Sequence, residues 1–235
     1  MQLEVNITGK SFENAAGKRH DVLAAINFTL NAGEVGVVFG PSGCGKSTLL
    51  KILAGLDHNY QGRVVRPGVR LGMVFQEPRL LPWRTVEENV RLAAPDVDEA
   101  RIAALFDVLE LTAHRHHFPG ELSLGLARRV ALARAFAVEP NFLILDEPLA
   151  SLDNALAGRL REQIATLVAS RRMMTLFVTH DLDDAVRLGD RLFFLSARPA
   201  RIIHVETIAA LRAKRSEQDI ADIKARLAQL DLANM

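Results

Sequence analysis

The sequence predicts an α/β fold organised around a phosphate-binding loop, and three observations carry that expectation. The stretch Gly40-Pro41-Ser42-Gly43-Cys44-Gly45-Lys46-Ser47-Thr48 fits the pattern G-x-x-x-x-G-K-[ST]. The apolar run Val35-Gly36-Val37-Val38-Phe39 precedes it, and Ser47 to Ala54, with Leu49, Leu50, Ile52 and Leu53, follows as a helix closed by Gly55. Downstream, Phe142 to Leu145 and Thr175 to Thr179 are short apolar runs that read as buried strands, with helical patterns between them.

Strand, glycine-rich loop and helix form the context this motif needs. The glycines let successive N–H groups turn inward on an anion, and the helix N-terminus adds its partial positive charge. Lys46 would reach the β- and γ-phosphates, and the Ser47 hydroxyl would ligate Mg²⁺. A random chain of this length matches the pattern roughly once in a hundred tries, and the flanking elements lower those odds. A nucleoside triphosphate is the expected ligand.

Composition bounds the rest. A chain of 235 residues, 49% hydrophobic, can bury a substantial core in one sizeable or two-lobed domain. A net charge of +1 argues against a strongly basic nucleic-acid surface, leaving room only for a local patch. The single cysteine, Cys44, leaves no disulfide framework and fits a reducing compartment. No basic-then-apolar leader opens the sequence and no apolar run reaches the roughly 18 residues of a membrane span. Membrane association is therefore expected through a partner.

Taken in order, Leu3, Val5 and Ile7 alternate as a half-buried strand, Asn14 to Lys18 reads as a turn, and Ile26, Phe28 and Leu30 alternate in a second strand. Phe12 is expected on the loop side of this section, where it either stacks on a nucleobase or packs at the surface. Arg63 to Arg66 and Val69 to Phe75 read as strands around Pro67-Gly68, and Gln76 presents an amide at a strand end. Thr85 with Glu88 is a capping box for a helix from Val86 to Ala93. Asp98 to Leu109 forms another helix, so the region from about Thr85 to Val138 is expected to be a helical insertion. Asp153 caps a long helix carrying Leu156, Leu160, Ile164 and Leu167 on one face. His180 ends the strand Thr175–Thr179, a helix through Asp184 to Val186 and a strand from Arg191 to Leu195 follow, and Ile220, Ile223, Leu227 and Leu230 share a helical register in the tail from about 207.

Asp146 and Glu147, at the tip of the strand from Phe142, supply the second half of a nucleotide site. Asp146 suits Mg²⁺, usually through its hydration shell. Glu147 suits orienting or deprotonating the water that attacks the γ-phosphate. Taken alone, the pair reads better as acids capping the turn at Pro148; the phosphate loop upstream reverses that preference.

The order phosphate loop, Gln76, Leu122-Ser123-Leu124-Gly125-Leu126, Asp146-Glu147, Ser151-Leu152-Asp153 and His180 resembles the ATP-binding subunit of an ABC transporter over roughly residues 1 to 206. The resemblance implies the ABC ATPase fold: a RecA-like core, an antiparallel β subdomain and an inserted helical subdomain. It implies ATP and Mg²⁺ as ligands and ATP hydrolysis as the activity. Gln76 would contact Mg²⁺ and sense the membrane partner, Phe12 would stack on adenine, Asp153 would lie in the loop that crosses to a second subunit, and His180 would contact the γ-phosphate. Two copies would sandwich ATP, with Ser123 and the Gly125 N–H donating to the nucleotide held by the opposite loop.

The segment departs from the family's usual Leu-Ser-Gly-Gly-Gln at Leu124 and Leu126. A side chain at 124 must point away or loosen the contact, so dimerisation with slower hydrolysis is expected. His114, His116 and His117 read as a solvated loop rather than a metal site, since no acids or cysteines stand at ligand spacing. Cys44, at a helix N-terminus, is expected to be acidified, so that alkylating it blocks ATP binding.

The run Val74 to Val90, with Pro82 and Trp83, resembles the importer branch that handles nitrate, sulfonates and taurine, as does Ser196-Ala197-Arg198-Pro199-Ala200-Arg201-Ile202. That branch implies transmembrane permease subunits, an extracytoplasmic solute-binding protein, and a peripheral location on the cytoplasmic face of a bacterial inner membrane. Pro82 and Trp83 would form a socket for the permease. An exporter ATPase of the same fold is the runner-up. A DNA-repair ATPase would need a coiled-coil insertion that the interval from Lys46 to Asp146 leaves no room for, and a translation factor would carry two cassettes. A P-loop kinase or GTPase would lack the Ser123 and His180 segments.

Overall fold

A computed structural model describes residues 2–14, 17–66 and 68–229; the expectations placed on Ala15, Ala16, Pro67 and Leu230 lie outside them. In chain order the elements are β1 (Gln2–Glu13), β2 (Arg19–Asn31), β3 (Val35–Phe39), α1 (Lys46–Leu53), β4 (Gln61–Val65) and β5 (Leu71–Val74). Then follow α2 (Val86–Arg91), α3 (Glu99–Val108), α4 (Leu124–Ala137), β6 (Phe142–Asp146), α5 (Asn154–Ala169), β7 (Met174–Thr179), α6 (Leu182–Leu188), β8 (Arg191–Leu195), β9 (Ala200–Thr207) and α7 (Glu217–Ala228). The chain forms two compact units, one of residues 1–68 with 174–235 and one of residues 69–173.

In the first unit the strand order is β4-β1-β2-β9-β8-β3-β7. β1 and β2 make an antiparallel hairpin that β4 extends, and Leu3, Val5 and Ile7 point inward at alternate positions as their spacing predicts. β3 lies parallel between β7 and β8, which explains its unbroken apolar run: a strand covered on both faces has no polar side. α1 buries Leu49, Leu50, Ile52 and Leu53, each contributing roughly 1.5–3 kcal/mol of apolar transfer. α6 packs on β3 and β7, and α7 packs on α6.

One expectation changes here, and one strand is new. Phe12 lies within β1, not on a loop, because the hairpin ladder runs on through Phe12↔His20 to Glu13↔Arg19. Ala200–Thr207 is a strand that no alternation signalled strongly; it is held by antiparallel pairing with β8.

In the second unit β5 and β6 pair in parallel, from Leu71↔Phe142 to Val74↔Leu145. β5 is shorter than the apolar run from Val69 to Phe75. α4 packs on β5, and α2 and α3 pack on α4. A Cβ at Gly72 would lie 2.6 Å from the Ala135 carbonyl, so the strand approaches that helix too closely for any side chain. The Thr85–Glu88 capping box forms, and Asp98 and Asp153 each cap the helix that follows.

Candidate nucleotide site

The phosphate loop lies wholly in the first unit. Gly43 and Gly45 have φ of 77° and 128°, backbone that β-carbon-bearing residues rarely adopt. A Cβ at Gly45 would also meet Val22 and Leu23 at 3.0 Å, so close approach to β2 crowds a side chain there as well. α1 opens at Lys46 with no side chain capping it. A helix N-terminus opening directly out of the loop adds its partial positive charge there. Lys46 is buried, and its Nζ donates to the carbonyls of Gly40 at 2.8 Å and Pro41 at 3.0 Å. The ammonium is thus held across the mouth of the loop, within reach of the space that the loop amides face. Pro41 is half-buried, Ser42 and Ser47 are exposed, and Thr48 is half-buried on the first turn of α1.

The in-register pairing Phe39↔Thr179 brings the start of the loop and His180 to the same edge of the sheet. His180 is exposed there. Asp181 follows and caps α6, accepting from the Asp183 and Asp184 amides. Phe12 presents a ring 47% exposed, with Lys10 Nζ 4.5 Å from its centroid. Its hairpin partner strand is the one that abuts Gly45.

Cys44 departs from expectation. It is buried, and that burial raises its thiol pKa, outweighing the lowering by Lys46. The helix N-terminus does not acidify it, and a shielded thiol of raised pKa is a poor target for alkylation.

In the second unit the parallel register places Gln76, two residues past β5, and Asp146 with Glu147, at the end of β6, on one strand edge. Asp146 is buried, Gln76 is exposed, and Glu147 is half-buried with φ of 46°, a strained left-handed conformation for a side-chain-bearing residue. Hydroxyl, amide and carboxylate oxygens, as Ser47, Gln76 and Asp146 offer, are the donors that Mg²⁺ accepts.

Ser123 is the N-cap of α4, its Oγ accepting from the Leu126 amide at 3.3 Å. Leu124 is 46% exposed, so its side chain stands at the surface beside that cap. Gly125 is buried because a Cβ there would lie 2.6 Å from Leu156 of α5. Asp153, exposed, accepts from the Leu156 amide at 2.9 Å. His114 and His117 share a 3.1 Å contact between their Nδ1 atoms. Among the described residues, no group of three or more His, Cys, Asp or Glu side chains could hold a metal ion.

Sequence reasoning missed three bracing side chains. Arg128, buried, donates to the Pro148 carbonyl at 3.0 Å, tying α4 to the turn after Glu147. Arg134 donates to the Arg79 and Pro78 carbonyls, both at 2.8 Å, holding the segment after Gln76. Asn89 is buried, and its amide both accepts from Leu81 N–H and donates to the carbonyls of Leu81, Arg84 and Thr85. It fixes the turn that leaves Trp83 70% exposed.

Comparison with known proteins agrees with the motif order. Residues 23–150 match the family described as ABC transporter. A protein from Bacillus licheniformis, named aliphatic sulfonates import ATP-binding protein SsuB, is 40% identical over 86% of this chain and 83% of its own. The Bacillus subtilis protein of the same name is 37% identical over 97% of this chain and 93% of its own. Among solved structures, a dimeric ATP-binding cassette in a post-hydrolysis state, bound to ADP and Pi, superposes with a TM-score of 0.77. It is 25% identical and covers 90% of this chain and 100% of its own. No helix among the described residues is long and apolar enough to cross a membrane.

Proposed function

The chain belongs to the ABC transporter family, and on that premise we propose that it is the ATP-hydrolysing subunit of an importer for a small solute of the sulfonate class. The phosphate loop carries this reading: Gly43 and Gly45 at positive φ, a helix opening from the loop with no side-chain N-cap, and a buried lysine laid across the opening. The word import in the names of relatives aligned along most of the chain favours uptake over export.

Each residue then has a stated task. Lys46 leaves the Gly40 and Pro41 carbonyls for the β- and γ-phosphates, and the loop amides hold the same groups. Phe12 packs its exposed ring on the adenine. Ser47, Asp146 and Gln76 would hold Mg²⁺, Asp146 through its hydration shell, and the ion would supply neutralisation of charge developing on the phosphates. Glu147 orients the attacking water and takes its proton, and His180 contacts the γ-phosphate. Two copies close on two ATP molecules, Ser123 and the Gly125 amide of one donating to the nucleotide of the other while Asp153 lies in the crossing loop. Hydrolysis reopens the pair, and permease subunits at the cytoplasmic face of the inner membrane follow that motion. A solute-binding protein outside the membrane supplies the cargo.

The test compares magnesium-dependent ATPase of the purified chain with Glu147→Gln while following mass on ATP addition. Loss of at least about a hundredfold in rate, with an ATP-trapped dimer, is the expected result, from removal of a general base. A variant as fast as the parent would overturn the role of Glu147, and a parent that neither binds nor hydrolyses ATP would overturn the reading.

A further inference from the structure

The turn between β8 and β9, residues Ser196–Pro199, does nothing in the mechanism above, yet the fold builds it against the phosphate loop. Ser196, buried, locks the turn: its N–H donates to the Arg201 carbonyl, its Oγ donates to the Ala197 carbonyl at 2.9 Å, and the Arg201 N–H donates back to that Oγ at 3.1 Å. Just before it, Leu195 lies so close to Gly40 that a Cβ there would come within 3.0 Å of the leucine Cβ. Out of the locked turn Arg198 extends, and its Nη2 donates to the Gly43 carbonyl at 2.7 Å. The end of β8 and the turn after it thus meet the loop at Gly40 and Gly43 respectively.

The bond to Gly43 acts on the peptide joining Gly43 and Cys44. That unit is planar, so its carbonyl and the Cys44 N–H point in opposite directions. Holding the carbonyl out towards Arg198 holds the N–H towards the interior of the loop. There its internal partner is the Pro41 carbonyl at a long 3.4 Å, a weak bond that an anionic oxygen would displace. Gly43, at φ of 77°, is the residue whose backbone freedom would otherwise let that peptide turn over. The positive charge of Arg198 also acts on the loop, being one of the influences that lower the Cys44 thiol pKa against burial.

We propose that Arg198 is a positioning residue of the nucleotide site: it presets the Gly43–Cys44 peptide so that the Cys44 N–H meets a bound phosphate without reorganisation. This rests on reading the loop as an ATP site. Preorganisation raises affinity by removing an ordering cost that binding would otherwise carry.

The experiment measures the Kd for Mg-ADP by calorimetry on the full chain, for the parent, Arg198→Ala and Arg198→Lys, together with Tm of the nucleotide-free proteins. Arg198→Ala should weaken ADP binding about tenfold, the scale of one charge-assisted hydrogen bond. Arg198→Lys, which keeps a donor and the charge, should stay within about threefold of the parent. Tm should not move, because an exposed contact to one carbonyl contributes little to folding. Equal affinity of the parent and Arg198→Ala would overturn the inference alone, as would a Tm drop that tracks the affinity loss or a lysine variant as weak as alanine. A parent that binds no ADP would overturn the proposed function, and the inference with it.

Discussion

Leu124 and Leu126 stand where the resemblance leads us to expect glycine and glutamine, and the structure separates their surroundings. Leu124 follows the Ser123 cap and is 46% exposed, whereas Leu126 is half-buried and supplies the amide that Ser123 Oγ accepts. The glycine that packing demands is Gly125, hard against Leu156. Position 124 is therefore free of any folding requirement for glycine or leucine, and its side chain bears on whatever approaches the α4 N-terminus. An approaching phosphate would be kept farther from the helix amides by a leucine than by a glycine, and the helix-end field falls off within a turn. The double variant Leu124→Gly, Leu126→Gln should raise the steady-state ATPase rate severalfold at saturating ATP, with Tm unchanged within a few degrees. A rate equal to the parent's would mean that the leucines serve packing alone.

At the scale of elements, α2 is held by a ring of charges. Glu87 accepts from Arg115 and from Arg91, and both arginines also reach Glu99. Glu87 is brought from an ordinary 4.5 down to about 2, with the Arg115 guanidinium first and Arg91 helping against partial burial. A carboxyl whose folded pKa is depressed contributes stability that is fully present above its unfolded value and is lost as pH falls through the folded one. Glu87→Gln should therefore cost on the order of 1 kcal/mol at pH 7, a few degrees of Tm in a chain this size, and that deficit should vanish between about pH 4.5 and pH 2. Thermal melts of both proteins across that range check it; a deficit independent of pH would locate the effect in packing. This ring also marks what a sequence shows and what it hides. Thr85 and Glu88 were legible as a capping box because the partners stand three residues apart on one helix turn, and the phosphate loop because its geometry fixes residue types at fixed spacing. Arg115 and Glu87 lie 28 residues apart, and Arg198 reaches Gly43 across 155. Such pairs depend on where long side chains end up in three dimensions, which no local period records. β9 was hidden for a related reason, since its half-buried alternation is set by its neighbour β8 rather than by strong apolar residues. Phe12 was misplaced because hairpin pairing carries β1 past the point where its own apolar alternation ends.

At the scale of the whole molecule, a transport motor must pass movement to a membrane partner through a surface that it does not need for its own folding. Trp83 has that property. It is the only tryptophan, and it is 70% exposed on a turn between Pro82 and Arg84. The turn is made rigid from beneath by the four hydrogen bonds of the Asn89 amide and the Thr85 cap. Arg134 fixes the backbone between Gln76 and this turn from α4, the helix whose N-terminus carries Ser123. A large, rigid, exposed aromatic has little conformational entropy to lose on docking and much apolar area to bury, which makes it an anchor at interfaces. Trp83→Ala should accordingly leave ADP affinity and Tm of the isolated chain as they are, while weakening its association with detergent-solubilised permease subunits at least about thirtyfold, a hot-spot loss of roughly 2 kcal/mol. Pull-down and titration of the two purified components measure it. Unchanged association would remove Trp83 from the docking surface, whereas a fall in Tm would show that the ring supports the turn from within.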